Sequence, residues 1–322
     1  MDQALWEKLC AALEQKPTCQ VTSIESKPYT RHPAPPFTTS TLQQEAGRKL
    51  RMSSRQTMAV AQYLYENGFI TYMRTDSTAL SSQAISAARR QAKNLYGTDA
   101  IPEKPRFYAK KAKGAQEAHE AIRPAGDNFR TPEQVRSLLS DQQAALYELL
   151  WKRTLASQMN DASGTTDTVR VSAHINLDNT PHELVFTASG TVITFRGFLA
   201  AYEEGKDKPR YASSDTSPAL PKLSEGQELA FTEVDREKAA HVTSPPPRYT
   251  EASLVKTLEE NGVGRPSTYA STIGVIIERG YVRRAGQALI PSWQAFAVVR
   301  LLEETLASLV AYDFTATMEG TL

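Results

Sequence analysis

The 322 residues, 40% of them apolar, suffice for two or three hydrophobic cores and exclude a peptide, a linker or a disordered tail. Thirty-seven Lys and Arg against 36 Asp and Glu leave a net charge of +1, which excludes a uniformly basic chain that coats nucleic acid by bulk charge but leaves room for a local basic patch. Two cysteines, Cys10 and Cys19, exclude a disulfide scaffold and a Cys-rich zinc module; with no apolar run near the roughly 18 residues of a membrane span and no leader-like start, the expected compartment is the reducing cytoplasm.

Leu5, Trp6, Leu9, Ala12 and Leu13 stand at helical spacing and predict a helix over the first 16 residues, ended by Pro17. Val21 to Ser26 reads as a strand, and Pro28, Pro33, Pro35 and Pro36 as an extended connector. Ser40 can cap a helix to about Met52, and Ser53 or Ser54 another through Met58, Val60, Ala61 and Leu64, stopped by Asn67-Gly68. Phe69 to Thr75, β-branched and aromatic, is consistent with a strand. Helices are expected from Ser81 or Ser82 to Gly97 and from about Ser140 to Gln158, with Leu146, Leu149, Leu150 and Trp151 facing a core.

The period then becomes two: Val169, Val171, Ala173, Ile175 and Leu177 alternate with polar residues, the pattern of an antiparallel strand with one wet face. Leu184 to Ala188, Val192 to Phe195 and Leu229 to Val234 are expected as further strands, and the early strand at Val21 joins them most economically. Beyond Pro245-Pro246-Pro247, Thr250, Ser267 and Ser292 can cap three helices, with a hairpin over Tyr281 to Ile290 before the last, a winged-helix-like order. The expected fold is α+β and multidomain: residues 1–18 a helical tail packing with the C-terminal part, 19–38 and 159–246 an antiparallel β domain, 39–158 a mainly helical domain inserted into it, and 247–322 a helical, winged-helix-like part.

Charge is not evenly spread along this plan. Residues 40–130 hold 15 Lys and Arg and 8 Asp and Glu, while the rest of the chain holds 22 and 28, so the neutrality is a cancellation. Lys104, Arg106, Lys110, Lys111 and Lys113 surround Phe107 and Tyr108, cations for phosphates and rings for bases. The same composition also suits a solvated lysine-rich loop.

Three stretches could carry chemistry. In Ile70-Thr71-Tyr72-Met73-Arg74-Thr75-Asp76-Ser77, an extended backbone points Tyr72, Arg74 and Asp76 the same way. A phenol beside a guanidinium suits nucleophilic attack on phosphate, because the cation stabilises both the phenolate and the phosphoryl oxygens; a tyrosine on a half-buried strand also suits a core. In Gln116 to Pro124, helical spacing would put His119 and Arg123 one turn apart, within reach of a phosphate, and the single His with two Glu is no zinc motif. In Gly262-Val263-Gly264-Arg265-Pro266-Ser267-Thr268-Tyr269-Ala270, a Gly-rich turn leading to a helix N-terminus beside Arg265 suits an anion, or serves as an ordinary cap; it is not a nucleotide-hydrolysing loop, lacking the Lys-Ser/Thr ending.

Together with Pro36-Phe37-Thr38-Thr39-Ser40-Thr41-Leu42-Gln43-Gln44-Glu45-Ala46 and Tyr249-Thr250-Glu251-Ala252-Ser253-Leu254-Val255, these stretches resemble, in order, the signatures of bacterial DNA topoisomerase I, the type IA topoisomerase family. The resemblance covers most of residues 20–322. It implies a clamp-shaped enzyme that relaxes negatively supercoiled DNA without ATP. In it Tyr72 attacks one strand to form a 5′-phosphotyrosine link, Arg74 positions the scissile phosphate, His119 assists there and Asp76 orients the site. Arg265, Ser267 and Thr268 would hold the strand, with Arg123, Lys110, Lys111 and Lys113 as further DNA contacts.

The family's Toprim domain binds magnesium through an acidic cluster that includes Asp-x-Asp, and no Asp-x-Asp occurs in these residues. No metal ligands are therefore expected here; magnesium belongs to the parent enzyme, a missing N-terminal Toprim part is the expected partner together with single-stranded DNA, and C-terminal DNA-binding repeats are missing too. The expectation is a central segment of a cytoplasmic, nucleoid-associated enzyme that alone binds a single strand without cleaving it. The alternative is a natural non-catalytic DNA-binding or partner-docking scaffold; a tyrosine recombinase, which gathers several Arg and His on the phosphate, fits less well.

Overall fold

A computed structural model describes residues 3–108, 119–205, 220–233 and 245–321. The chain divides into two compact units, Met1–Arg31 with Ala162–Arg196 and Tyr211–Pro246, and His32–Asp161 with Gly197–Arg210 and Pro247–Leu322.

The first unit is an antiparallel sheet of β1 (Thr18–Arg31), β2 (Ala162–Leu177), β3 (Thr180–Phe195) and β4 (Glu228–Ala230), ordered β3-β2-β1-β4. The early strand does join the later sheet: Val21 lies opposite Val171 and Glu25 opposite Thr168. β1 runs through Pro28 to Arg31, so the connector starts later than expected. Pro28 is tolerated because β4 pairs only with Thr18 to Gln20, leaving no described strand beside Pro28 on that edge to need its missing N–H. β3 is one strand where two were expected. It follows β2 through Asp178 and Asn179, both left-handed (φ 50° and 63°), a conformation these two residue types tolerate in two-residue hairpins.

Helix α1 (Gln3–Glu14) packs against β2 in this unit, with Lys8 paired to Asp178 at 2.7 Å. This corrects the placement of residues 1–18 with the C-terminal part. The short link over Gln15 to Pro17 brings the buried Cys10 and Leu13 directly to the sheet, whose own buried residues include Val21, Val169, Ala173 and Ile175.

The second unit holds α2 (Thr39–Leu50), α3 (Ser54–Glu66), α4 (Ser82–Tyr96), α5 (Pro132–Arg136), α6 (Asp141–Ser157), α7 (Glu251–Glu260) and α8 (Tyr269–Glu278). A hairpin, β5 (Val282–Ala285) and β6 (Ala288–Pro291), then leads to α9 (Trp293–Thr305), α10 (Ala307–Val310) and α11 (Tyr312–Thr321). Residues 39–158 and 247–322, expected as separate domains, share this unit, with α2 packed on α7. The core forms around α6, where Leu146, Tyr147 and Leu150 are fully buried with Phe37, Leu42, Leu64, Met73 and Ile122. Each such side chain contributes about 1.5–3 kcal/mol by burial. Val255, Tyr269 and Ile273 make a second cluster between α7 and α8.

Two helix starts differ from expectation. α2 is capped by Thr38, not Ser40, because Thr38 and Thr41 exchange backbone-to-hydroxyl bonds; Ser40 is left inside the first turn. α8 begins at Tyr269 after Thr268, not at Ser267, and the Thr268 hydroxyl instead accepts the Arg265 N–H at 2.8 Å. Among the described residues no helix is long and apolar enough to cross a membrane.

Candidate active site

The segment after α3 is extended but belongs to no sheet. Gly68, at φ 70°, turns the chain out of the helix, and the Phe69 N–H donates back to the Leu64 carbonyl at 2.8 Å. Ile70 then bridges Pro124, the Thr71 N–H donates to the Arg123 carbonyl at 2.9 Å, and the Thr71 hydroxyl donates to the Ala121 carbonyl at 2.8 Å. On its other side the segment meets the start of α2. The buried Thr39 hydroxyl reaches the Met73 carbonyl at 2.7 Å and the Thr75 carbonyl at 3.1 Å, and accepts the Thr75 N–H at 2.9 Å. Met73 and Thr75 are thereby buried, and Tyr72, Arg74 and Asp76 face outward together.

Tyr72 is 37% exposed. Tyr65 meets its ring edge-on at 5.3 Å between centroids, and the exposed His119 ring lies 6.1 Å away at 46°. Arg74 makes no hydrogen bond or ion pair with a described residue, and it opens into a cleft of about 270 Å³ that it shares with Arg55, Met58, Ser267, Ser271 and Glu278. Tyr72, Arg74, Asp76 and His119 are thus gathered on one side, and Ser267 joins through the cleft.

Residues 119–124 are not a helix. Ile122 bridges Phe37 and Pro124 bridges Ile70, so backbone pairing with segments distant in sequence takes the bonds a helix would use. His119 and Arg123 accordingly do not share a helix face. Arg123, expected to contact DNA, is only 7% exposed. Its guanidinium donates to Glu120 at 2.6 and 3.1 Å and to the carbonyls of Pro124 and Gly126, over the Phe129 ring, so it braces the loop that carries His119. Glu120 also accepts the Ser81 N–H at 2.5 Å. Burial would raise the Glu120 carboxyl, but the bonds from Ser81 and Arg123 outweigh it and hold the group below the ordinary carboxylate range.

Arg265 is also engaged. It pairs with Glu319 at 2.8 Å, and the Gly264 N–H donates to the same carboxylate oxygen at 2.8 Å. The anion cradle read from the sequence therefore holds a carboxylate of its own chain. Behind it, burial first, then the nearby Glu259, pushes the Tyr269 phenol up to about 12. Glu259 itself is raised by burial although Ser40 donates to it at 2.6 Å.

Lys110, Lys111 and Lys113 lie outside the described residues. In the adjoining stretch Phe107 is 75% exposed, whereas Tyr108 donates to the Ser157 carbonyl at 2.8 Å and burial pushes its phenol up to about 12. Arg106 is tied to the Met159 carbonyl and to Asp161. Only Phe107 of the two rings is presented to a ligand. Thr39, Tyr65 and Glu120 were not legible as site residues; position seven before Tyr72 on a helix gives Tyr65 away only once the turn at Gly68 is known.

Among the described residues no three His, Cys, Asp or Glu side chains converge where a metal ion could sit. A family model described as "DNA topoisomerase" matches residues 1–322. The chain is 57% identical over 303 residues to DNA topoisomerase 1 of Mycolicibacterium smegmatis, covering 94% of this chain and 32% of that protein. It is 55% identical over 322 residues to DNA topoisomerase 1 of Streptomyces coelicolor, covering 100% and 33%. The structure of full-length topoisomerase I from Thermotoga maritima matches with a TM-score of 0.72 at 34% identity, covering 100% of this chain and 50% of that one. The chain spans about a third of the length of the curated relatives it matches. An outward-facing tyrosine and arginine beside a histidine, held in a fold and sequence shared along the whole chain with these proteins, makes the conclusion plain: the chain belongs to the bacterial DNA topoisomerase I family.

Proposed function

We propose that this chain is the tyrosine-bearing segment of a type IA topoisomerase that cuts and reseals one DNA strand. The Tyr72 oxygen attacks a backbone phosphorus, the bond from phosphorus to the 3′ oxygen breaks, and a 5′-phosphotyrosine forms. The phenol loses its proton and the departing 3′ oxygen gains one. Resealing is the reverse, with the 3′ hydroxyl as nucleophile and the tyrosine as leaving group, so the bond is conserved and no ATP is consumed. Arg74 offers its fixed guanidinium to the charge on the phosphoryl oxygens. His119 donates a hydrogen bond to the phosphate, and Asp76 orients the segment's polar end. Arg123 acts through Glu120 by positioning the loop.

The observation that carries this reading is the shared outward face of Tyr72 and Arg74, with His119 at 6.1 Å and Ser267 lining the cleft that Arg74 enters. The strand would run along that cleft past Ser267 and Thr268, meeting Arg265 where a phosphate exchanges with Glu319. Residues 39–158 are proposed as an insertion into the β domain, and the helix-helix-hairpin-helix order of 250–305 as winged-helix-like. Magnesium and an acid-base group are proposed to come from a Toprim segment in the longer protein, for which the relatives' threefold greater length leaves room; this chain alone binds single-stranded DNA without cutting it. Negatively supercoiled DNA on the nucleoid, in the cytoplasm, is the proposed substrate.

The test uses the longer protein that contains this chain, magnesium and a 3′-end-labelled single-stranded oligonucleotide. A denaturant-stable labelled adduct is expected, absent in Tyr72→Phe at unchanged affinity. Arg74→Ala should slow adduct formation by about 10²–10³-fold, the size of effect seen when one oxyanion donor is removed. An adduct of normal yield in Tyr72→Phe would refute the reading, as would DNA binding with no adduct in the unaltered protein, the behaviour of a scaffold.

A further inference from the structure

We propose that Arg55 is a second phosphate contact in the cleft, held by Glu278 until a strand enters. The inference rests on reading the cleft as the strand site, and deepens it by assigning a residue outside the motifs and a carboxylate that competes with DNA. Arg55 stands in the first turn of α3 and Glu278 is the last residue of α8, and the two lie on the wall of the cleft that Arg74 enters. Their ion pair spans 2.5 Å, with side chains 77% and 58% exposed.

An ion pair this wet is weakly held, because water screens it and two flexible side chains must be ordered to form it. The pair uses one guanidinium nitrogen and one carboxylate oxygen, and a backbone phosphate can take its place with charge-assisted, two-pronged hydrogen bonds. The rest of the cleft fits that ligand: Ser267 and Ser271 supply hydroxyls, Met58 and Val275 supply apolar surface for a sugar or base, and a volume of about 270 Å³ suits one nucleotide unit and no duplex. Glu278 then acts as a repulsive element near each incoming phosphate and lowers affinity in its charged form.

The experiment measures binding of a fluorescent oligothymidylate to the 322-residue chain across a salt series, with circular dichroism confirming that each variant is folded. Arg55→Ala should weaken binding about two- to fivefold, as loss of one exposed charge contact does, and reduce the slope of log affinity on log salt by about 0.7. Arg55→Lys should retain that slope. Glu278→Gln should tighten binding by a similar factor, and the gain should shrink markedly when Arg55 is also alanine. If Arg74→Ala weakens binding but Arg55→Ala leaves affinity and slope unchanged, the role of Arg55 is overturned while the strand cleft stands. If Arg74→Ala also has no effect, or the chain does not bind, both fall.

Discussion

Thr39 sets one hydroxyl against the backbone on either side of Arg74, accepting from Thr75 and donating toward Met73 with no exposure to water. Thr39→Val keeps the shape and takes the hydroxyl partner from the Met73 carbonyl and the Thr75 N–H, so a loss of about 1–3 kcal/mol is expected in urea unfolding, with Thr39→Ser recovering most of it. The folded Glu120 carboxyl lies below its ordinary value of 4.5, so its contribution is present above that pH and is lost as pH falls through the lowered folded value. Melting temperatures of Glu120→Gln should therefore fall below those of the unaltered chain near pH 6, and the gap should narrow as pH falls below 4.5. A gap that persists in acid would show that charge is not what Glu120 contributes. At this scale Tyr72, Arg74 and Asp76 were legible, because two-residue alternation needs only an extended backbone. Arg123 and Arg265 were not: an arginine reads the same whether free or engaged, and Glu319 lies far along the chain from Arg265.

Elements were legible where the signal was local. Ser53, Ser81, Ser140, Thr250 and Ser292 all cap the helices expected of them. Residues 119–124 were misread because their hydrogen bonds go to Phe37, Thr71 and Ala79, partners that no local pattern reveals. Pro28 was misread for a related reason: proline ends an interior strand but not one whose neighbour has already stopped. Gly197 begins the short 3₁₀ turn Gly197–Ala200 at φ 48°, and a side chain there would collide with the carbonyls of Asn160 and Asp161. Gly197→Ala should cost more than about 2 kcal/mol, measured as a lower denaturation midpoint at unchanged slope. An unchanged midpoint would mean that the turn relaxes freely.

For the whole molecule, the positive excess of residues 40–130 overstates what a strand can meet. Arg48, Arg106 and Arg123 are tied to carboxylates within the fold, Arg55 is paired to Glu278 across the cleft, and Arg74 has no described partner. Counting charge along a sequence does not separate cations free to meet a ligand from those paired within the fold. The discontinuous sheet was legible from a lone early strand with no local partner. The joining of 39–158 with 247–322 in one unit was not, since α2 meets α7 through residues such as Ser40 and Glu259 that carry no pairing signal.

Tyr72 is the residue proposed to take the covalent bond to DNA. The direct measurement is to trap the longer protein on an oligonucleotide, digest both, and locate the nucleotide-bearing residue by mass spectrometry. A 5′-linked nucleotide is expected on the peptide containing Tyr72 and on no other. A nucleotide on neighbouring Tyr65, on a serine, or joined through its 3′ end would contradict it.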